Sequence, residues 1–307
     1  MIDLPSLQSI LHPAAIDART IAELTWILII GATLLLAGVC FLLWRAVRRK
    51  AGAVKPLHWI VGGGIALPLL VLTPLLAYST WRSAELTMPA SQDALAISVT
   101  AKMWWWEVRY PNPRGGQDIV LANEIHLPAG RPVYLSLVSN DVIHSFWVPA
   151  LGGKVDMVPG RPHGMRVQVD QPGRWRGQCA EYCGEQHARM ALFVVAEAPA
   201  AFDAWLAGQA QPARGQQLPG REVFLAQHCG ACHTVRGVVA SANLGPDLTH
   251  VGSRSHLGAG TLPNGSAAMA AWIANPHAVK PGVRMPASSD MDPASLQALA
   301  AWLEQLK

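Results

Sequence analysis

A twelve-residue stretch of the sequence, CAEYCGEQHARM, runs from Cys179 to Met190 and is dense in metal-binding side chains. It carries two thiols, two carboxylates, an imidazole and a thioether, and a further imidazole, His144, lies upstream in NDVIHSFWVP. Soft thiolate and thioether sulfur beside imidazole favours copper over harder ions. A loop that returns beside the strand ending near His144 would bring these donors together, so we expect a copper site here.

Two other uses of these donors remain open. Cys179 and Cys183 would form a plain disulfide if the domain lies in an oxidising compartment. Two Cys and two His, namely His144 and His187, would instead suit a structural zinc ion. Neither alternative uses the thioether of Met190, so copper is the favoured interpretation.

A second motif, HCGACHTV, contains Cys229, Cys232 and His233 in the Cys-x-x-Cys-His arrangement of covalent haem attachment. The two thiols would bond the haem vinyl groups and His233 would ligate the iron. A redox dithiol or half of a zinc site is the alternative for a bare Cys-x-x-Cys. KPGVRMPA places Met285 in a Pro-flanked loop before the last predicted helix, which makes it the expected sixth ligand. Less favourably placed rivals are Met88, Met103, Met269, Met291, His250, His256 and His277.

The elements expected to position the copper donors are β-strands. Runs rich in β-branched or aromatic residues, separated by Pro and Gly clusters, are typical of an antiparallel sandwich or barrel. These runs cover 94–110, 119–128, 131–139, 165–170 and 191–198. The sequence therefore predicts a β domain over residues 88–208.

The stretch after this domain changes character. A short helix is expected over 202–209, and residues 209–220 are polar and contain Pro and Gly, as linkers do. Residues 221–307 contain helical patches and end in an amphipathic helix with Leu296, Leu299, Leu303 and Leu306 at helical spacing. We predict a separate small all-α domain that carries the haem motif.

The N-terminal residues 1–87 are expected to anchor the chain in a membrane. Residues 26–44 and 59–78 are uncharged, apolar and near the roughly 20 residues that a spanning helix needs; buried core helices are the alternative. Cys40 lies in the first span and is expected to be a small packing residue. The short loop between the spans is basic and should be cytoplasmic, which leaves both termini outside. Its basic residues are Arg45, Arg48, Arg49, Lys50 and Lys55.

The net charge of +4 does not indicate nucleic-acid binding. Residues 88–208 hold ten Lys and Arg against eleven Asp and Glu, and residues 218–307 hold six against five. The basic surplus belongs to the membrane segment, so no basic face for nucleic acid is predicted.

The copper loop, with HSFWVP and LGGKVDMVPGRPH, resembles the CuA domain of cytochrome c oxidase subunit II over residues 15–200. The resemblance implies a cupredoxin-like sandwich that holds two coppers bridged by the thiolates of Cys179 and Cys183. It implies that His144 and His187 each bind one copper and that two weaker ligands complete the set. These weaker ligands are Met190 and the backbone carbonyl of Glu181. In this family the Glu181 side chain would also reach a magnesium ion shared with subunit I, unless it is simply a solvated surface group.

The stretch KMWWWEVRY adds a second feature of the same family. Consecutive Trp residues on a strand ordinarily alternate between core and surface. The family has an aromatic cluster near the copper through which electrons enter. The resemblance assigns this role to Trp104, with Trp105 beside it.

Residues 218–307 resemble class I cytochromes c, including the loop LGPDLTHVGSR. Together the parts resemble subunit II of a caa-type oxidase. This resemblance implies a multi-domain protein of the bacterial inner membrane that relays electrons from an external donor through haem c and CuA to subunit I, where oxygen is reduced. The expected partners are subunit I, subunit III, membrane lipid, and a cytochrome c or a quinol:cytochrome c oxidoreductase as donor.

Two other functions remain open. A nitric oxide reductase subunit would share the copper loop, and a non-catalytic copper-binding or assembly protein would deliver metal, although metal delivery has no use for a covalent haem. One departure from the family concerns proton uptake. KPLHWIV carries His58 where many subunits II carry a carboxylate near the start of the second span.

Overall fold

The computed structural model describes residues 7–48, 55–86, 94–239 and 242–307. The chain divides into two compact units, one formed by residues 17–89 and the other by residues 1–16 and 90–307. The sequence predictions that concern Met88, Arg49 and Lys50 fall outside the described residues.

The smaller unit consists of two long helices, and these contain the predicted spans 26–44 and 59–78. They are α1 (Ile16–Arg48) and α2 (Pro56–Leu86). Their most apolar windows have mean hydropathies of 2.6 and 2.1, and none of the residues in those windows is buried. Glu23 of α1 accepts hydrogen bonds from Arg82 and Tyr78 of α2, at 2.7 and 2.6 Å, which joins the two helices. Both helices are long and apolar enough to cross a membrane, as predicted.

The larger unit begins with a β-sandwich of two five-stranded sheets, in the orders β3-β2-β1-β5-β8 and β4-β10-β9-β6-β7. The strands are β1 (Leu95–Lys102), β2 (Trp105–Tyr110), β3 (Ile119–Ala122), β4 (Glu124–Pro128), β5 (Val133–Ser139), β6 (His144–Trp147), β7 (Val155–Met157), β8 (His163–Val167), β9 (Gly173–Cys179) and β10 (Ala191–Glu197). Val133, Leu135 and Leu137 alternate inward along β5 and are buried in the core between the sheets. The predicted sandwich is confirmed.

Two details of the sandwich differ from the sequence prediction. The run 94–110 is broken into β1 and β2, which pair with each other across a turn at Met103 and Trp104. Each sheet is mostly antiparallel but contains one parallel pair, β1 with β5 and β4 with β10. Alternation along a strand reports which face is buried, but it carries no information about the direction of the neighbouring strand.

The rest of the unit is helical apart from a two-stranded ribbon. Its elements are α3 (Pro199–Gln209), α4 (Gly220–Ala226), β11 (His256–Leu257), β12 (Leu262–Pro263), α5 (Ser266–Ala274), α6 (Pro276–Val279) and α7 (Pro293–Gln305). A second core forms where α4, α5 and α7 meet, with the rings of Phe224 and Trp302 5.2 Å apart. Asp292 caps α7 by accepting the Ser295 N–H, and the predicted apolar face of α7 is buried.

The residues between the two cores are packed against the helical domain. Ala213 is buried in the second core, and the Arg214 N–H donates to the Lys307 carbonyl at 3.0 Å. This ordered packing occurs within residues 209–220, which the sequence predicts to be a linker. The two cores lie in one compact unit.

Candidate metal centres

Sheet topology brings the predicted copper donors together. Strand β6 begins at His144 and β9 ends at Cys179, and these strands are antiparallel neighbours with Phe146 opposite Cys179. The loop of residues 180–190 then joins β9 to β10. The Cys179 N–H donates to the Met190 carbonyl at 2.9 Å and closes this loop at its base.

The donor atoms are spaced as ligands around metal ions. The two sulfur atoms of Cys179 and Cys183 are 3.7 Å apart. The Nδ1 of His144 lies 3.7 Å from the first sulfur, and the Nδ1 of His187 lies 3.7 Å from the second. The Met190 sulfur is 3.9 Å from that of Cys183. Metal–sulfur bonds of about 2.3 Å place tetrahedral ligands about 3.7 Å apart, so the spacing fits. It does not fit a disulfide, whose sulfur atoms are about 2.05 Å apart.

The arrangement suits two metal ions better than one. Each thiol has its own imidazole, and the donor atoms of His144, Cys179 and Cys183 lie within 4.8 Å of one another, a group that does not include His187. A single tetrahedral zinc ion would need all four donors around one point. The backbone oxygen of Glu181 lies 3.1 Å from the Cys179 sulfur and faces the same space.

Contact between the two buried thiols shifts their pKa values in opposite directions. The hydrogen bond with Cys183, partly opposed by burial, lowers the pKa of the Cys179 thiol. The same contact and burial raise the pKa of Cys183. The thiolate is the form of cysteine that binds copper.

Asp141 is a functional residue that the sequence analysis missed. Its Oδ1 lies 2.7 Å from the Nε2 of His144, and its Oδ2 accepts the Met103 N–H at 2.7 Å. Burial lowers the pKa of His144, but the hydrogen bonds to Asp141 and Cys179 outweigh burial and raise it to about 9. A carboxylate behind a metal-binding His fixes the ring orientation. The only sequence signal was an acid three residues before the His.

The three consecutive tryptophans, Trp104, Trp105 and Trp106, lie in three different environments. The Trp104 Nε1–H donates to the Cys183 carbonyl at 2.8 Å, so this ring lies on the copper loop. Gly184 has φ +112°, and a Cβ there would lie 3.1 Å from the Trp104 ring, so glycine suits both the backbone and the contact. Trp105 instead lies beneath the Lys102 ammonium, 4.9 Å from ring centre to nitrogen. Trp106 is fully buried in the core, 6.3 Å from the His144 ring.

The side chain of Glu181 contacts Lys154. Its Oε2 lies 3.1 Å from the Lys154 ammonium, which also contacts Asp156 at 2.7 Å. The Glu181 side chain is 44% exposed. It therefore lies at the surface, where a second protein could reach it.

The haem motif is arranged for iron binding. Cys229 and Cys232 are free thiols, and the His233 N–H donates to the Cys229 carbonyl at 3.0 Å. The His233 Nδ1–H donates to the Pro246 carbonyl at 2.8 Å, which leaves Nε2 as the free ligand atom. Burial lowers the pKa of His233 and favours the neutral ring that binds metals. A Cβ on Gly245 would lie 2.5 Å from this ring.

Met285, the predicted sixth ligand, is half-buried and packs against the second core. His250 and His256 have other contacts: the former bonds the Gln211 carbonyl through Nε2, and the latter stacks on Phe193 of the sandwich. His277 is exposed. The other methionines considered as ligands lie in different places. Met269 is buried inside the helical core, Met103 lies in the turn between β1 and β2, and Met291 is half-buried.

A buried guanidinium supports haem binding in the same domain. Arg254 is 9% exposed and donates to the Asp247 carbonyl, and its Nε has no hydrogen-bond partner among the described residues. A buried, positively charged N–H group that lacks a hydrogen-bond acceptor suits an anionic group such as a haem carboxylate. The residues present therefore fit a haem.

Comparisons with known proteins match both parts of the larger unit. The family model "Cytochrome C oxidase subunit II, periplasmic domain" matches residues 114–197, and the model "Cytochrome c" matches residues 217–307. A cytochrome c oxidase subunit 2 of Alkalihalophilus pseudofirmus is 34% identical, over 88% of this chain and 81% of that protein. The corresponding subunit of Bacillus subtilis is 29% identical, over 79% and 72%.

A solved structure is also similar over part of the chain. The periplasmic domain of subunit II of a cytochrome oxidase from Bradyrhizobium japonicum is 28% identical, with a TM-score of 0.36. The match covers 39% of this chain and 96% of that structure.

Proposed function

This chain belongs to the family of cytochrome c oxidase subunit 2, and we propose that its two metal sites act in series, passing one electron at a time from haem c to a copper pair and on to subunit I. It is the electron-entry subunit of the oxidase, an oxidoreductase complex in which it partners subunit I. The CuA-type domain implies copper and the cytochrome c domain implies haem.

Named side chains would hold each group. Cys179, Cys183, His144 and His187 would hold the two coppers. Met190 and the carbonyl of Glu181 would be the weaker ligands. The spacing of about 3.7 Å between neighbouring donors supports this set. When bound, the copper pair and the haem would each supply a one-electron carrier.

The protein's own groups would keep the copper ligands rigid. Asp141 holds the His144 ring from behind, and the hydrogen bond from Cys179 to the Met190 carbonyl closes the loop. Trp104 fixes the Cys183 carbonyl and would be the point of electron entry. A rigid cluster rearranges little when its charge changes, which suits electron transfer rather than substrate binding.

In the haem domain, Cys229 and Cys232 would attach the haem covalently. His233 and Met285 would ligate the iron. The bond from His233 to the Pro246 carbonyl supports this assignment because it leaves Nε2 free.

Further partners follow from the same family membership. The exposed carboxylate of Glu181 would share a magnesium ion with subunit I, in exchange for its contact with Lys154. Subunit III and an external donor, a cytochrome c or a quinol:cytochrome c oxidoreductase, would complete the assembly. The chain is membrane-anchored, and we place residues 94–307 on the periplasmic side of a bacterial inner membrane because the basic loop between α1 and α2 would stay inside.

The observation that carries the proposal is that a paired-thiol copper loop and a Cys-x-x-Cys-His motif share one compact unit. A metal-delivery protein has no use for the second motif. A nitric oxide reductase subunit would have both sites, but the similar proteins reported above are named cytochrome c oxidase subunits. Copurification with subunit I and measurement of oxygen uptake separates these two candidates.

The test is the metal content of the purified full-length chain, matured with haem and loaded with copper. The expected result is two coppers per covalent haem, with an EPR spectrum of delocalised mixed-valence copper and a low-spin c-type haem. One copper or zinc per chain, or no covalent haem, would refute the relay.

A further inference from the structure

A short segment of the haem domain contacts the copper loop. Residues 279–282, which we call the docking segment, lie against the loop of residues 180–190. The Gln186 side-chain N–H donates to the Pro281 carbonyl, and the Arg189 guanidinium donates to the Val279 carbonyl. The docking segment lies only a few residues before Met285 in the chain.

At the centre of this contact is Lys280. Its side chain is buried, 2% exposed, and its ammonium donates to the backbone carbonyl of Trp104 at 3.0 Å. Among the described residues Lys280 forms no ion pair with a carboxylate. A lysine buried without such a partner is unusual, because burying a charge is costly. Burial, and then the nearby Arg189 guanidinium, lower the pKa of Lys280 to about 8, and the Cys183 sulfur opposes this shift.

Two hydrogen bonds then link the docking segment to the copper ligands. The first runs from the Lys280 ammonium to the Trp104 carbonyl, and the second from the Trp104 indole N–H to the Cys183 carbonyl, at 3.0 and 2.8 Å. Trp104 therefore contacts both the docking segment, through Lys280, and the copper loop, through Cys183.

We propose that Lys280 is a positioning residue that docks the haem domain on Trp104, so that electrons cross between the two metal sites at this contact. The inference rests on the proposed function. With haem and copper bound, the step would transfer one electron from the haem iron to the copper pair, so that the oxidation of one balances the reduction of the other. No covalent bond forms or breaks and no proton moves.

Other contacts hold the two domains together without Lys280. The Ser255 hydroxyl and N–H both donate to Glu124, and the Ala191 N–H donates to the Ala259 carbonyl. Loss of the Lys280 ammonium should therefore loosen the docking segment locally and leave the domains folded and attached.

The experiment uses the complete oxidase carrying Lys280→Met, which keeps length and loses the ammonium. Haem c is reduced by a light flash in the presence of a ruthenium photoreductant, and its reoxidation is followed together with the near-infrared band of the copper pair. A hydrogen bond to a charged group is worth about tenfold in an equilibrium constant, so we expect transfer about tenfold slower. The rate should also become dependent on viscosity, because docking now limits it, while the haem and copper spectra stay unchanged.

Two further variants complete the design. Arg284→Met removes an exposed cation from the same loop and should leave the rate unchanged. Lys280→Arg keeps a donor of the same charge and should recover most of the rate.

The outcomes separate this inference from the proposed function. A Lys280→Met enzyme that transfers electrons as fast as the unmodified one, or an Arg284→Met enzyme that is equally slow, would overturn the positioning role alone. Loss of copper or haem from Lys280→Met would also overturn it, because Lys280 would then be structural. An unmodified protein without a copper signal would refute the proposed function itself.

Discussion

Asp141 offers a sharp test of how the copper ligands are held, because it acts on His144 without being a ligand. Its carboxylate contacts the back of the imidazole at 2.7 Å and is itself fixed by the N–H groups of Met103 and Val142. The change Asp141→Ala removes all three contacts and leaves the ring of His144 free to turn.

The expected loss can be worked out from the contact. Removing such a partner of a ligating His typically weakens metal binding by about 10- to 100-fold. This corresponds to about 1.4–2.7 kcal/mol of binding free energy. The upper end is expected here, because His144 is fully buried and, besides Cys179, Asp141 is the only hydrogen-bond partner of its ring among the described residues.

The assay is competition for copper between the full-length chain and a chelator of known affinity, read by the visible absorption of the copper–thiolate bonds. Asp118→Ala is the matched control, since Asp118 is an exposed acid of the same domain. An unchanged copper affinity in Asp141→Ala, with the haem spectrum intact, would refute the view that this carboxylate orients the ligand.

Three further predictions concern stability and haem attachment. Burial raises the pKa of Glu124, but hydrogen bonds from His126 and Ser255 outweigh burial and lower it to about 2. The stability that Glu124 contributes is therefore present above about pH 4.5 and is lost as the pH falls toward 2. The pKa of His126 is raised, so His126 contributes stability below about pH 6.5 that is lost as the pH rises through its folded pKa. Glu124→Gln should therefore make the melting temperature depend less on pH in both the acidic and the neutral range. It should also lower the free energy of unfolding by about 1–3 kcal/mol at neutral pH. Gly245→Ala should push the His233 ring aside, cost about 1–3 kcal/mol and lower the fraction of chains with covalent haem, measured by haem staining. Phe224→Ala, which empties part of the second core, should cost about 3–5 kcal/mol in denaturant unfolding of the chain.

Each of these predictions has its own control and its own contrary result. Glu222→Gln breaks an exposed pair with Arg221 and should leave the pH profile as it is; an unaltered profile in Glu124→Gln would show that the cluster does not couple to folding. Full haem attachment in Gly245→Ala would mean that the His233 ring has more room than the structure gives it. Equal losses for Phe224→Ala and for a change at the exposed Leu218 would contradict the assignment of the second core.

The sequence alone indicated the chemistry, because each motif is compact along the chain. CAEYCGEQHARM and HCGACHTV place most of the donors for one metal site within a single loop, and donor type and spacing in such loops follow from metal chemistry. The two apolar helices and the alternating strands could also be predicted from the sequence, because the hydrophobic pattern is a local property of the chain.

The sequence did not predict which strands of the sandwich pair with each other. Strands β1 and β5 pair in parallel, and β4 pairs with β10 from a distant part of the chain. Asp141 was missed for a related reason: its role depends on the turn that folds it back on His144, and an acid three residues from a His has many other uses.

Only the tertiary structure decided how the two metal domains meet. Lys280 and Trp104 are 176 residues apart, and Glu124 and Ser255 are 131 apart, yet each pair is hydrogen-bonded. Nothing in the local pattern of either segment specifies such a partner, because the contact exists only after two separate cores have formed and packed. Sequence thus determined which metals the protein can hold, whereas packing of distant surfaces determined which residues join the two sites.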